Sequence, residues 1–176
     1  MRTLLRFDKM DYDKDMRVCE KYSTRAIIMK DGKIATQHGS AGEYKLLGGG
    51  VEKGESYIEA LCREVREEAG LIVIPESVKE IGEIEEKRKD IFDPEVIYVC
   101  HSYFYLCDIT GERRDPIMTE SEIAKGYHLC WATPEEIISG NAPHCETMPW
   151  IMRDTEFVQR LQEFCGFSAP DARKES

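Results

Sequence analysis

The sequence lacks any long hydrophobic run. No apolar stretch approaches the roughly 20 residues that a membrane span needs. The amino terminus, MRTLLRFDKMDYDKD, becomes charged after only two consecutive leucines. We therefore expect neither a signal peptide nor a membrane anchor, and no membrane partner.

Closely spaced cysteine pairs are also missing. The seven cysteines are odd in number, scattered and free of any C-x-x-C pair. This pattern argues against a disulfide framework and against a structural zinc site. We expect the cysteines to be small buried hydrophobic residues, and we expect a cytoplasmic protein.

Positive charge is in short supply. The chain has 24 Lys and Arg against 34 Asp and Glu, which gives a formal net charge of −10. A chain of this charge repels polyanions, so a nucleic acid polymer and an anionic membrane are both disfavoured as partners. A phosphate-bearing substrate would have to be reached through a metal ion or a local cluster of Arg and Lys.

The length and apolar content suit one globular domain. With 176 residues, of which 41% are hydrophobic, the chain can bury a core of ordinary size. We predict a single domain over residues 1–176, with a core at about 20–166 and a polar tail at 167–176. The sequence leaves open whether the protein is a monomer or a homodimer.

Runs of β-forming residues predict several strands. Asp31-Gly32 supplies the turn of a hairpin between strands near 23–29 and 33–38. A short strand from Glu43 leads into three consecutive glycines. Three later runs also predict strands: VKEIGEIEE, the long EVIYVCHSYFYLCDIT and YHLCWA.

Three helices are predicted from capping residues and from apolar spacing. The strongest begins at the capping box Ser56 and Glu59 and ends at Gly70. The others run from Thr133 to Gly140 and from about Trp150 to Cys165. Strands and helices in this order predict an α/β sandwich with one mixed sheet.

The strongest predicted helix carries an acidic face. Glu64, Glu67 and Glu68 project from one side, which we predict to point away from the core. Like charges at this spacing destabilise a helix, and a divalent cation such as Mg²⁺ or Mn²⁺ would remove that cost. From the charge pattern alone, a solvated acidic face remains the alternative.

The residues around this face carry a longer motif. GGGVEKGESYIEALCREVREEAGL contains, from position 49 to 71, the pattern G-x5-E-x7-R-E-U-x-E-E-x-G-U, in which U is aliphatic. The pattern is the signature of the Nudix hydrolases, which this chain therefore resembles. The matching residues are Gly49, Glu55, Arg63, Glu64, Val65, Glu67, Glu68, Gly70 and Leu71. One departure is Leu47, where many members have proline.

The resemblance implies a Nudix-like α/β/α sandwich and metal-dependent hydrolysis of a nucleoside diphosphate derivative. The metal, Mg²⁺ or Mn²⁺, would be held by Glu67 and Glu68 with help from the Gly48 carbonyl. Glu64 would be a further ligand or the base that activates water. Arg63 would orient the loop and helix through a salt bridge to Glu55.

Residues outside the motif are weaker candidates. The family often adds an acidic residue from a later loop, and IMTESEIAKG offers Glu120 or Glu122 as general base. Arg25 could contact a phosphate, and Tyr44 or Trp131 could stack on a base. For Arg25 a surface role, and for the two aromatics a core role, remain the alternatives.

The sequence says least about the group that is linked to the nucleoside diphosphate in the substrate. The proline that similar ADP-ribose hydrolases carry about sixteen residues past the motif is absent, and so is the tyrosine of diadenosine-polyphosphate hydrolases. A nucleoside triphosphate, oxidised or not, is therefore the first choice of small-molecule substrate. A hydrolase of ADP-ribose or a nucleotide sugar, and a non-catalytic nucleotide sensor, remain alternatives.

Overall fold

The computed structural model describes residues 1–166, which form an α/β fold. The elements in chain order are β1 (Thr3–Asp8), β2 (Arg17–Ile27), β3 (Met29–Lys30), β4 (Lys33–His38), β5 (Tyr44–Leu46), α1 (Tyr57–Ala69), β6 (Leu71–Val73), a 3₁₀ turn (Pro75–Ser77), β7 (Lys79–Lys89), β8 (Val96–Leu106), β9 (Ile109–Arg113), α2 (Glu120–Ala124), β10 (His128–Ala132), α3 (Pro134–Asn141), α4 (Pro149–Gln159) and α5 (Leu161–Cys165).

The predicted mixed sheet is confirmed and has the strand order β1-β7-β8-β2. Its central pair, β7 and β8, is antiparallel, whereas both outer pairs are parallel. A second sheet has the order β10-β4-β3, with β5 paired to β4. Its hairpin turns at Asp31 and Gly32, which both have positive φ as the sequence predicts.

Helix α1 begins and ends as its sequence predicts. The Ser56 hydroxyl accepts from the Glu59 N–H, and the Glu59 carboxylate accepts from the Ser56 N–H. At the other end Gly70 adopts the left-handed conformation. Leu61 and Val65 are fully buried on the inner side of the helix, so α1 is fixed along its whole length.

Helices cover hydrophobic layers on two sides of the strands. One buried cluster includes Leu61 and Val65 of α1. The other joins the mixed sheet to α4, where the Phe104 and Phe157 rings stack with centroids 4.1 Å apart. The architecture is therefore the α/β sandwich that the sequence predicts.

Several elements differ from the expectations. Strand β1 was not predicted, and it pairs with the edge of β7. The long apolar run divides into β8 and β9, and the closing helix divides at Arg160 into α4 and α5. The predicted polar tail at 167–176 lies outside the described residues. Within residues 1–166, no helix is both long and apolar enough to cross a membrane.

Candidate active site

A single guanidinium holds the glutamates of the motif together. Arg63 on α1 donates to Glu55 at 2.8 and 3.0 Å, to Glu64 at 2.8 Å and to Glu67 at 3.2 Å. Its Nη2 also donates to the Gly50 carbonyl at 2.9 Å. These bonds tie the glycine-rich loop to the acidic side of the helix, and they raise the pKa of Arg63 further above its ordinary value.

Glu68 differs from its prediction. We expected it to face away from the core with Glu64 and Glu67, but it is only 2% exposed. Its two oxygens accept from the Lys45 ammonium at 2.5 Å and from the Gly48 N–H at 2.7 Å. Burial raises the pKa of Glu68, and the charge of Lys45 offsets part of that shift. The expectation failed because β5 and the glycine loop cover this end of the helix.

The glycine loop approaches neighbouring groups too closely for side chains. Gly48 has a φ of 132°, and a Cβ there would overlap the carbonyl oxygen of Thr24 on β2. A Cβ at Gly49 would overlap the Glu64 carboxylate. The loop therefore needs glycine at position 48 in order to lie against β2, whereas a side chain at position 49 would displace the Glu64 carboxylate.

The structure separates the two candidate bases. Both lie on the short helix α2 rather than in a loop, because Thr119 and Glu122 form a capping box. Oε1 of Glu122 lies 3.9 Å from the Lys45 Nζ, beside Glu68. Burial alone would raise the pKa of Glu122, but hydrogen bonds from Thr119 and the charge of Lys45 lower it overall. Glu120 is exposed and has no polar side-chain contact among the described residues.

Arg25 lies beside the glycine loop, and contacts with Thr24 and Asp154 hold its side chain in place. It is 7% exposed, donates to the Thr24 carbonyl at 2.7 Å and has its Nε 3.9 Å from Asp154 of α4. Burial and the nearby charge of Arg153 lower the pKa of Arg25. Asp154 also accepts from the Leu46 N–H at 2.9 Å. One carboxylate of α4 thus supports both Arg25 and the end of β5.

A cleft runs from this cluster across the face of the mixed sheet. It consists of two adjoining cavities of about 1010 and 570 Å³. Both are lined by Lys21, Arg25, Arg88, Tyr98 and Trp150. The larger cavity reaches Gly50 and Glu55, and the smaller reaches Lys45 and Glu122. The cleft therefore opens onto the acidic cluster from both sides.

The aromatic candidates lie elsewhere. Tyr44 stacks on His38, with ring centroids 4.3 Å apart, and contacts α3 through Gly140. Trp131 lines two small cavities beside the hairpin that turns at Asp31. Neither residue is among those that line the cleft within the described chain.

Sequence reasoning missed several residues of the cleft, among them Lys21, Arg88, Tyr98, Trp150 and Lys45. Arg88 and Tyr98 lie opposite each other on β7 and β8, and Trp150 is the second residue of α4. No motif joins these positions, which are brought together only by strand pairing and helix packing. A signal did exist at Trp150, which is one of only two tryptophans in the chain.

The donor set of the acidic cluster fits a hard divalent cation. Carboxylates are the ligands that Mg²⁺ and Mn²⁺ prefer. Lys45 and Arg63 lie against all four glutamates of this cluster, Glu64, Glu67, Glu68 and Glu122, so a metal ion would share the carboxylates with these two positive charges. The residues suited to hold the ion are Glu64, Glu67 and Glu68, with the Gly48 carbonyl, and Glu122 lies beside them.

A separate group of possible metal ligands lies on the other side of the sheet. Glu83, Glu85 and His101 have ligand atoms within 4.8 Å of one another. Side chains alternate along a strand, so His101 points away from the cleft face that carries Tyr98 and Cys100. The Nδ1 of His101 is hydrogen-bonded to Glu83 at 2.6 Å. This group is not part of the candidate active site.

Comparison with known proteins agrees with this geometry. The model of the NUDIX domain matches residues 21–151, and the chain therefore belongs to that family. Among curated proteins none matches.

Solved structures share the fold. The solution structure of the E. coli ORF135 protein is 23% identical, with a TM-score of 0.55 over 92% of this chain and 96% of that one. A NUDIX hydrolase from Nitrosomonas europaea is 19% identical, with a TM-score of 0.58 over 88% and 99% of the two chains.

Membership in the family and the complete set of motif residues define the class of enzyme. The protein is a Nudix-type pyrophosphohydrolase, which acts on acid anhydrides. Nudix hydrolases act on small-molecule nucleotide substrates and generally use divalent metals such as Mg²⁺ or Mn²⁺.

Proposed function

We propose that the enzyme hydrolyses a nucleoside triphosphate, oxidised or not, to a nucleoside monophosphate and pyrophosphate with Mg²⁺ or Mn²⁺. The observation that carries the proposal is a cleft that contains Arg25 and reaches Glu55 and Glu122. Arg63 joins Glu64 and Glu67 to Glu55, and Lys45 joins Glu68 to Glu122. This arrangement supplies carboxylate ligands for a divalent metal ion and, beside them, the positively charged Arg25 for a phosphate group.

Each group has a distinct role in the proposed reaction. When bound, the divalent ion supplies charge neutralisation to the bridging phosphates and Lewis acidity toward the attacking water. Arg25 binds a phosphate oxygen through guanidinium N–H groups that the protein leaves free. Oε1 of Glu122 accepts the proton of the attacking water as the new P–O bond forms and the anhydride bond breaks. Glu64 is the alternative base.

The bonds of Arg63 and Lys45 give the glutamates their positions. Arg63 holds Glu55 and Gly50 on the loop and Glu64 and Glu67 on the helix, so it sets the loop against α1. Arg63 is thus proposed as a positioning residue, and Glu55 as its partner in that role. Lys45 holds Glu68 in the absence of a divalent ion.

The test is release of pyrophosphate from a panel of nucleoside triphosphates, with Mg²⁺, with Mn²⁺ and after exhaustive chelation. We expect turnover only with a divalent ion, and we expect Glu67→Gln to abolish it because a ligand charge is lost while helix propensity is kept. Glu135→Gln, an exposed residue at the start of α3, is the matched control.

Two results would change the assignment. Release of AMP from ADP-ribose, with no triphosphate hydrolysed, would move the substrate to the ADP-ribose class. Full turnover after chelation, or an active Glu67→Gln variant, would contradict the metal-dependent mechanism.

A further inference from the structure

One part of the cleft is lined by basic and aromatic side chains. We define the distal pocket by Lys21, Arg88, Tyr98 and Trp150, which line both cavities. On β8 the partner of Arg25 is Phe104, and the partner of Arg88 is Tyr98. Those partners are six positions apart, roughly 20 Å along the strand. The distal pocket therefore suits a part of the substrate other than the phosphate that Arg25 binds.

The guanidinium of Arg88 lies on the Tyr98 ring in this pocket and has N–H donors without a partner. It is 7% exposed, and its Cζ lies 4.5 Å from the ring centroid of Tyr98. Its one hydrogen bond among the described residues goes from Nη1 to the Lys89 carbonyl at 2.9 Å. Its Nε is buried without a partner. A guanidinium has five N–H donors, so most of those of Arg88 remain available.

The carboxylates near the distal pocket are partly engaged with other groups. Oε2 of Glu86 accepts from Arg153 at 3.2 Å. Oδ1 of Asp90 accepts from the N–H groups of Phe92 at 2.7 Å and Asp93 at 3.0 Å. Lys21, in contrast, forms no ion pair within residues 1–166. Arg88 and Lys21 therefore supply donors with no competing ion pair, which favours a ligand that presents acceptors.

Trp150 gives the pocket a flat apolar surface. Within the described chain, no aromatic ring stacks on its indole. The indole of Trp150 is therefore free to stack on a planar ring of the ligand, beside Arg88. Any nucleobase can stack on an aromatic side chain in this way. A phosphate group would use the donors but not this surface.

We propose that the distal pocket binds the base of the nucleotide and that Arg88 selects a base with two neighbouring acceptors, as O6 and N7 of guanine. Arginine donates to this edge through two N–H groups at once, whereas adenine presents an amino donor at one of the two positions. The inference rests on the proposed nucleotide substrate. It makes Arg88 a determinant of specificity and Trp150 a stacking surface.

Binding of products tests the proposal without turnover. Isothermal titration calorimetry with GMP, AMP and inorganic pyrophosphate separates base from phosphate. We expect GMP to bind about 10-fold more tightly than AMP, at the lower end of what a bidentate base contact contributes. Because the titration measures binding and not catalysis, its result is independent of whether the protein hydrolyses nucleoside triphosphates. The base preference and the proposed function can therefore fail separately.

Variants then assign the preference to residues. Arg88→Met keeps an unbranched stem over Tyr98 but removes the donors, and we expect the preference for GMP to fall to less than about twofold. Arg88→Lys keeps the charge without the paired donors, and we expect the same loss. Trp150→Leu should weaken GMP and AMP alike while pyrophosphate binding is unchanged. Arg6→Met, at an exposed position on β1, is the matched control.

Three outcomes would overturn the proposal. One is equal binding of GMP and AMP to the unsubstituted protein. The second is an Arg88→Met variant that weakens pyrophosphate as much as GMP, because the pocket would then bind phosphate. The third is full retention of the preference in Arg88→Lys. If Arg88→Met fails to fold, Arg88→Lys and Trp150→Leu still decide the question.

Discussion

Two glutamates on one short helix provide a controlled test of the general base. Glu122 and Glu120 lie on α2 within the same turn, but only Glu122 lies beside Lys45 and Glu68. We expect Glu122→Gln to lower kcat by about 100-fold, which corresponds to about 2.7 kcal/mol of activation free energy and to the loss of a general base. Glu120→Gln should leave kcat within about twofold.

The substitution should not disturb the helix. Oε2 of Glu122 accepts from the Thr119 N–H at 2.8 Å in the capping box, and glutamine at this position can make the same bond. The melting temperature of Glu122→Gln should therefore stay close to that of the unsubstituted protein. The loss should appear in kcat rather than in KM for the metal–nucleotide complex.

The assay is steady-state release of pyrophosphate at saturating metal, with metal affinity measured separately by titration calorimetry. Equal losses in both variants would refute the geometric distinction between the two residues. An unchanged kcat in Glu122→Gln, together with an inactive Glu64→Gln, would assign the base to Glu64.

Two further predictions concern the support of the site. Lys45→Met leaves the buried Glu68 without its cation, so we expect the free energy of unfolding to fall by about 2 kcal/mol. This loss is smaller than for a fully buried pair because Lys45 is partly exposed. Urea titrations should show that Mg²⁺ restores most of the lost stability, and a substitution that leaves stability unchanged would contradict this account. Gly48→Ala forces a Cβ onto the Thr24 carbonyl at positive φ, so we expect a loss of about 3 kcal/mol by the same measurement. Gly50→Ala, where a Cβ meets open space, should cost less than about 1 kcal/mol, and equal effects would argue against the clash.

Local signals in the sequence were enough to predict α1. Its capping box, its left-handed terminal glycine and its apolar spacing all lie within 15 residues, from Ser56 to Gly70. The same box pattern at Thr119 and Glu122 could have revealed α2, but only two apolar residues, Ile123 and Ala124, follow before Gly126. Helical periodicity therefore gave no support there.

Contacts between distant segments could not be read in the same way. Glu68 is buried because Lys45 and Gly48, at least 20 positions earlier, fold over it. The pairing of β1 with β7 and the meeting of Arg88, Tyr98 and Trp150 depend likewise on tertiary packing. A helical wheel gives the direction of a side chain, but it does not show what lies opposite.

The pairing of the acidic cluster with Arg63 and Lys45 bears on how the enzyme is handled in metal substitution experiments. A metal ion that enters the site must displace the side chains of Arg63 and Lys45 from the carboxylates. The free energy of this displacement weakens the binding of the ion. We expect rapid exchange of the ion with the surrounding buffer rather than retention through purification. A stripped preparation should stay folded, and paramagnetic Mn²⁺ could then be introduced as a spectroscopic reporter of the site.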